Sequence, residues 1–279
     1  MTCWRLLITE PTDGPANMAV DEAIFLGRIQ GSSPRTLRFF SWSPPTLSLG
    51  YGQALDQRIN LEAVRQFGLG VVRRPTGGSA IYHDTHEREV TYSVVARAGD
   101  FPGADNLLET YRWIARGLLH GLRSLGLLAE LIPAAKSPSR EEAPTFCFAR
   151  AGSYEIEVGG RKLVGSAQRR RRGAFLQQGS VLLGADSERL RQLFPENDPL
   201  ATMTTVEAVL GHRPSFDKVT TCLAQGMGDA LGLRLEPGTL LPEEEEWAER
   251  LVQEKYATPA WTEHGRSGIG IGARPLSAA

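Results

Sequence analysis

The chain has 279 residues, of which 41% are hydrophobic and 23% charged, and a formal net charge of −1. That length suits one large domain or two small ones, and the near-zero charge excludes a general electrostatic attraction to nucleic acid or to an anionic membrane. With no apolar run of about 18 residues, no transmembrane helix is expected. The segment Met1 to Arg5 lacks the basic and apolar regions of a signal peptide, which implies a cytoplasmic protein. Three widely spaced cysteines, Cys3, Cys147 and Cys222, read as reduced thiols rather than a disulfide framework. The five histidines show no HExxH spacing, so no metal site is expected.

In chain order, Trp4 to Thr9 reads as a first strand. Asp13 then stands before Pro15 and an amphipathic run from Asn17 to Leu26, the pattern of a capped helix start. Residues 36–42 and 46–51 alternate on either side of Pro44-Pro45 and read as two partner strands. Ile59, Leu61, Val64 and Phe67 have helical spacing that stops at Gly68. Gly70 to Arg73, the turn Pro75-Thr76-Gly77-Gly78, and Ala80 to Tyr82 then read as strand, tight loop, strand: a hairpin with Arg73 and Arg74 at its mouth. Glu89 to Val95 is a further strand. Residues 106–125 form the longest predicted helix, with Leu107, Leu108, Tyr111, Ile114, Leu118, Leu122 and Leu125 facing the core and Gly126 ending it. Leu127 to Ile132 reads as a strand, and residues 133–144 as a mobile polar loop. Residues 153–183 form an antiparallel meander that turns at Gly159-Gly160 and again at Arg169 to Gly173. From residue 186 onward the chain reads as helical, over 186–194, 204–210, 215–231 and 243–256. No repeat or long linker divides it, so residues 1–279 are read as a single domain with a mainly helical part from 185.

Few residues are equipped for chemistry. Backbone N–H groups freed in the Gly77-Gly78 turn can line an anionic or carbonyl-bearing ligand, with no Cβ in the way; an ordinary turn with solvated arginines fits equally. Cys147 lies between two phenylalanines, which is compatible with a nucleophile if a cation assists the thiolate, or with a buried, inert thiol. Lys162 follows a Gly-Gly turn in an otherwise apolar strand. It either faces solvent or points inward as a donor to a carbonyl oxygen or thiolate. His83 is a base or a structural histidine. Arg169, Arg170, Arg171 and Arg172 form the densest basic cluster, either a solvated turn or a dock for an acidic protein.

Two stretches together carry a resemblance. Arg73-Arg74-Pro75-Thr76-Gly77-Gly78-Ser79-Ala80-Ile81-Tyr82-His83-Asp84 resembles the first signature of the lipoate–biotin protein ligase family, and Gly160-Arg161-Lys162-Leu163-Val164-Gly165-Ser166-Ala167-Gln168-Arg169-Arg170 resembles its second. Arg38 to Pro45 and Leu49-Gly50-Tyr51 resemble the strand pair that precedes them, so the likeness spans about residues 4 to 260. It implies an α/β (α+β) fold, a mixed and largely antiparallel sheet with packed helices. In the family's cofactor-independent octanoyltransferase branch, a cysteine in a Cys-Phe context shortly before the lysine strand carries the acyl group. Phe146-Cys147-Phe148 matches that position.

The resemblance therefore implies Cys147 as nucleophile and Lys162 as the donor to the acyl carbonyl. It implies substrate binding by Arg73, Arg74, Gly77, Gly78, Ser79, Ala80, His83, Gly165, Ser166 and Ala167, and weak partner docking by Arg169 to Arg172. The implied donor is octanoyl-acyl carrier protein, the acceptor a lipoyl domain or glycine-cleavage H protein, and no cofactor is required. Val72, Ile81, Val90 and Val164 are candidates to line an acyl tunnel. Two sister chemistries remain open, an ATP-dependent lipoate ligase and an octanoyl amidotransferase between lipoyl-bearing proteins, as does a non-catalytic member that binds acyl-carrier or lipoyl partners as a scaffold. The sequence departs from the pattern at Thr85 to Arg88, where the hairpin reads as extended, and at Gln178, where relatives often have histidine.

Overall fold

The computed structural model describes residues 2–55, 59–101, 106–132, 148, 155–195 and 198–265. Its strands are β1 (Thr2–Ile8), β2 (Thr36–Phe40), β3 (Thr46–Leu49), β4 (Gly70–Arg73), β5 (Ile81–His83), β6 (Glu89–Arg97), β7 (Glu130–Leu131), β8 (Ile156–Val158), β9 (Arg161–Arg171), β10 (Ala174–Leu182) and β11 (Leu233–Pro237). The helices are α1 (Gly14–Gln30), α2 (Leu61–Gln66), α3 (Leu107–Ser124), α4 (Ser187–Leu193), α5 (Pro199–Thr202), α6 (Val206–Leu210), α7 (Phe216–Leu231), α8 (Pro242–Leu251) and α9 (Pro259–His264), with a π turn at Val252–Tyr256 between the last two. None of the described helices is long and apolar enough to cross a membrane.

Among the described residues, the main sheet has the order β11-β1-β2-β6-β10-β9-β8-β7. β1 pairs in parallel with β11 and β2, and every other pairing in this sheet is antiparallel. One face is apolar. Val90, Tyr92, Val94 and Ala96 of β6 alternate onto it and pack under Ile114, Leu118 and Leu122 of α3 and Val219, Leu223 and Met227 of α7. Burying each of the large aliphatic side chains contributes roughly 1.5–3 kcal/mol. The two helices approach closely because Gly121 faces Gly226; a Cβ at Gly226 would lie 2.3 Å from the Gly121 nitrogen. Asp13 caps α1, accepting from the Ala16 N–H at 2.8 Å, and Asn106 caps α3, accepting from the Glu109 N–H at 3.0 Å.

The opposite face is layered differently. Glu89, Thr91 and Ser93, the alternate residues of β6, are buried and polar. They meet α1 and a second sheet of order β4-β3-β5, in which β3 is parallel to β4 and antiparallel to β5. The family signatures meet in this polar layer.

Six local expectations change. β2 and β3 are not partners: β2 lies between β1 and β6, and β3 carries the chain into the small sheet. β4 and β5 form no hairpin, because β3 fills the space between them and takes the inner edge of each. The 85–88 segment consequently connects the two sheets rather than extending a hairpin; the Arg88 carbonyl accepts from the N–H groups of Leu183 and Gly184. The helical part contains β11, which forms after Gly232 (φ 66) stops α7 and is specified by its pairing with β1. At the start of α3, Leu107 and Leu108 are exposed rather than in the core. The 127–132 strand contracts to Glu130–Leu131.

Candidate active site

The loop from Arg74 to Ser79 is held from below by side chains and closely packed backbone. Arg74 donates to the carbonyls of Gly77 at 2.6 Å and Ser79 at 2.8 Å, and to Ser48 Oγ at 3.1 Å. A Cβ on Gly50 would stand 1.8 Å from the Gly78 carbonyl oxygen, so the loop lies directly on the end of β3. Gly78 has φ +88, a left-handed angle that favours glycine. Gly77 differs: its φ is not in that region and a Cβ there would meet nothing within 4 Å. Folding alone does not require glycine at 77, whereas a ligand approaching the loop backbone closely would.

Arg73 serves the surrounding frame. It is buried and donates to the carbonyls of Gly50, Gln53, Trp261 and Thr262, while Trp261 Nε1 donates back to the Arg73 carbonyl at 2.8 Å. It thus ties α9 to the base of the glycine loop, and the carbonyl end of that helix suits a cation. Ala80 is in the apolar cluster beneath the small sheet.

Lys162 points inward. Its side chain is 2% exposed and its Nζ donates to Glu155 Oε1 at 2.6 Å. The cause is a register shift in the β8–β9 ladder: Ile156 pairs with Val164 but Glu157 pairs with Lys162, leaving Leu163 as an extra residue. This bulge inverts the alternation. Leu163 and Val164 both enter the helix-side core, and Lys162 shares the opposite face with Gly165. A Cβ on Gly165 would lie 3.2 Å from Lys162 Cε and 3.2 Å from Phe148 Cζ, so glycine makes room for both side chains. Lys162 Nζ stands 5.1 Å from the Phe148 ring centroid. Gly165 and Ala167 follow on this face, with Ala167 4.0 Å from the Cβ position of Gly78. The two signatures are thereby face to face. Ser166 projects the other way, sharing a 2.6 Å hydrogen bond with Tyr92 Oη; burial pushes that phenol up to about 12.

Beneath the loop runs a polar network. Thr76 Oγ1 donates to Gln178 Oε1 at 2.8 Å, and Gln178 Nε2 donates to Asp21 Oδ2 at 2.7 Å. Asp21 is paired with buried Arg38 at 2.9 Å. Gln178 therefore links the loop to α1, using both ends of its amide. His83 is buried, stacked on Trp42 with centroids 4.1 Å apart, 2.8 Å from Ser48 Oγ and 2.7 Å from Glu89 Oε1. Burial pushes the Glu89 carboxyl up, but His83, Ser180 and Thr91 together outweigh it and hold the group below its ordinary value. Both ring nitrogens of His83 are thus engaged within the protein, and through Ser48 the imidazole braces Arg74.

The basic cluster is not a turn as expected: Arg169, Arg170 and Arg171 pair with β10 as the end of β9, which leaves the turn to Arg172 and Gly173, and alternation along the strand divides the cluster. Arg169 lies on the glycine-loop face, 3.6 Å from Glu22, whereas Arg170 donates to Thr110 of α3 on the other face at 3.1 Å. Arg172 is exposed in the β9–β10 turn with φ 48. The four candidate tunnel residues also separate, with Val72, Ile81 and the pair Val90 and Val164 in three different apolar clusters. Ile81 alone of these shares a cluster with Phe148 and Met203, which help to line a cleft with Tyr82, Leu182 and Leu190 beside the lysine. Cys147 and the 133–144 segment lie outside the described residues. Among the described residues, no group of histidine, cysteine and carboxylate side chains is placed to hold a metal ion. Glu155, Glu22 and Asp21 had no signal in the sequence, since lone acids near apolar runs are common and only tertiary pairing distinguishes these three.

Known proteins resemble this chain in sequence and in fold. The profile of the lipoyl protein ligase A/B catalytic domain matches residues 13–228. A Symbiobacterium thermophilum protein named octanoyltransferase LipM is 45% identical over 273 residues, covering 93% of this chain and 98% of its own. The Bacillus subtilis protein of the same name is 35% identical over 272 residues, covering 92% and 97%. Among solved structures, lipoate-protein ligase A bound with ATP superposes with a TM-score of 0.79 at 25% identity, covering 94% of this chain and 99% of its own. A putative lipoate protein ligase from T. acidophilum with bound lipoic acid gives 0.78 at 27%, with the same coverage. The fold, the facing signatures and these near-full-length matches together establish that the chain belongs to the lipoyl protein ligase A/B catalytic-domain family.

Proposed function

We propose that this chain is an octanoyltransferase of lipoate biosynthesis that takes its acyl group from octanoyl-acyl carrier protein through a thioester on Cys147. Octanoyl transfer rests on similarity to octanoyltransferases over nearly the whole chain, at 34–45% identity. The observation that carries the mechanism is the buried Lys162 ammonium opposite the glycine loop.

In the first step the Cys147 thiolate attacks the thioester carbonyl. Lys162 donates to the oxygen as it gains charge, in a site where burial strengthens the interaction. The carrier's S–acyl bond breaks as the Cys147 Sγ–acyl bond forms, and the carrier leaves as the thiol with the proton that Cys147 gave up. In the second step the amine of an acceptor lysine, on a lipoyl domain or glycine-cleavage H protein, forms the amide C–N bond. The Cys147 thiolate departs and takes up the amine's proton. Exchange of a thioester for an amide makes this step downhill. The glycine loop backbone lines the acyl group, and the cleft beside Phe148 and Met203 offers apolar walls. Residues 1–279 act as one catalytic unit in this reading, because β11 extends the main sheet and α8 packs on α1.

The structural likeness to a lipoate-protein ligase bound with ATP favours a second reading, activation of a free acid. Intact-protein mass after mixing with octanoyl-acyl carrier protein, without ATP, separates the two. A hydroxylamine-labile octanoyl adduct that is absent in Cys147→Ser is expected. No adduct, with transfer supported by ATP and free octanoate or lipoate, would replace the proposal with a ligase.

A further inference from the structure

We propose that Arg169, with Tyr51 beside it, forms a subsite for the phosphodiester of the donor's prosthetic arm, at the opposite end of a bare strip of β9 from Lys162. The inference rests on the carrier-borne thioester donor proposed above. Its first support is an incomplete charge balance. Glu22 is buried and accepts from Lys255 Nζ at 2.5 Å and from Tyr256 Oη at 2.6 Å. Its other oxygen is 3.6 Å from Arg169. Among the described residues Glu22 is the carboxylate that pairs with either cation, and neighbouring Asp21 is matched by Arg38. Two cations therefore share one anion. Lys255 is fully buried, stacked 3.9 Å over Trp261, and has no access to solvent anions. Arg169 is 25% exposed, with its guanidinium 5.4 Å from the ring of the half-exposed Tyr51, so the surplus positive charge is presented there. An entering anion would complete the cluster.

The second support is distance. Lys162 Nζ lies 3.5 Å from the Cβ position of Gly165, which places the reacting carbonyl at the level of that residue. From Gly165 to Arg169 is four strand residues, about 13 Å, and a phosphate would sit just beyond the guanidinium. Extended phosphopantetheine spans four to five residues' worth of chain between phosphorus and sulfur, about 16 Å. Between the two ends β9 turns only Gly165 and Ala167 toward the glycine loop, with Lys162 and Phe148 packed against Gly165 and Ala167 4.0 Å from the Cβ position of Gly78. A phosphodiester suits a guanidinium at the end of this strip.

The test compares octanoyl-phosphopantetheine with octanoyl-pantetheine as acyl donors, alongside calorimetric binding of the two arms without the acyl group. The wild-type protein should favour the phosphorylated donor in kcat/KM on the order of tenfold, as one partly exposed charge-assisted contact provides. Arg169→Gln should bring the ratio near one, Arg169→Lys should retain part of it, and inorganic phosphate should erode it in the wild type. A purely structural role would slow both donors together and leave the ratio intact, which would overturn the subsite. So would a wild-type ratio of one, even with normal acyl transfer. Failure of transfer from both donors would instead remove the thioester reading; binding then decides the subsite alone, and equal affinity for the two arms would refute it.

Discussion

Breaking the Lys162–Glu155 pair separates stability from chemistry. The two groups are 2% and 7% exposed and meet at 2.6 Å, with Phe148 and Gly165 packed around the lysine stem. Glu155→Leu leaves an ammonium in a site closed to water, and Lys162→Met leaves a carboxylate there. Each single change should cost about 3–5 kcal/mol, because a desolvated charge loses its 2.6 Å ion pair. For a chain of this size that lowers Tm on the order of 10 °C. The double variant Glu155→Leu/Lys162→Met removes both charges and fills the space with apolar atoms beside Phe148. It should recover most of the loss, giving a coupling energy of about 3 kcal/mol or more in a urea or thermal unfolding cycle. Octanoyl transfer should stay abolished in the double variant despite restored stability, since the proposed donor to the carbonyl is gone. A loss below about 1 kcal/mol for Glu155→Leu, or a double-variant loss equal to the sum of the singles, would refute the reasoning that the pair is buried and coupled.

Three further outcomes are expected. The folded Glu89 carboxyl lies below its ordinary value of 4.5, so its contribution to stability is complete above that pH and is lost as pH falls through the folded value. The unfolding free energy of wild type minus that of Glu89→Gln should therefore shrink between pH 6 and pH 3 (about that range), and a constant difference would contradict the assignment. Gly50→Ala places a Cβ 1.8 Å from the Gly78 oxygen, so the glycine loop must move; acyl-enzyme formation monitored by intact mass should slow at least tenfold (~1.4 kcal/mol). Arg73→Met frees the carbonyls of α9 and loop 50–53, and limited proteolysis should then cleave within residues 252–265, where wild type resists.

The sequence alone determined the strands and helices with strong periodicity, the glycine loop and the lysine strand. Alternation in Glu89 to Val95 and the stripe Ile114, Leu118, Leu122 arise from a pleat of period two and a helix of period 3.6, which are local properties of the backbone. The family signatures are similarly local, since each is a contiguous run of residue types that can be read without knowing what surrounds it. Partnership was not local. Whether β4 meets β5 or β3 depends on which edge is already occupied, and a five-residue segment such as Leu233–Pro237 is a strand because β1 offers it an edge.

The inward turn of Lys162 was likewise settled by tertiary structure. One extra residue in the β8–β9 ladder exchanges the faces of the strand, and no periodicity in the sequence marks that bulge. The same holds for the acids that support the site. Glu155, Glu22 and Asp21 gain their roles from cations distant in sequence or on other elements, and burial makes those pairings consequential. Local chemistry could therefore be read from the chain, while the direction of each side chain and the charge it meets emerged only when the two sheets and α1 closed around the polar layer.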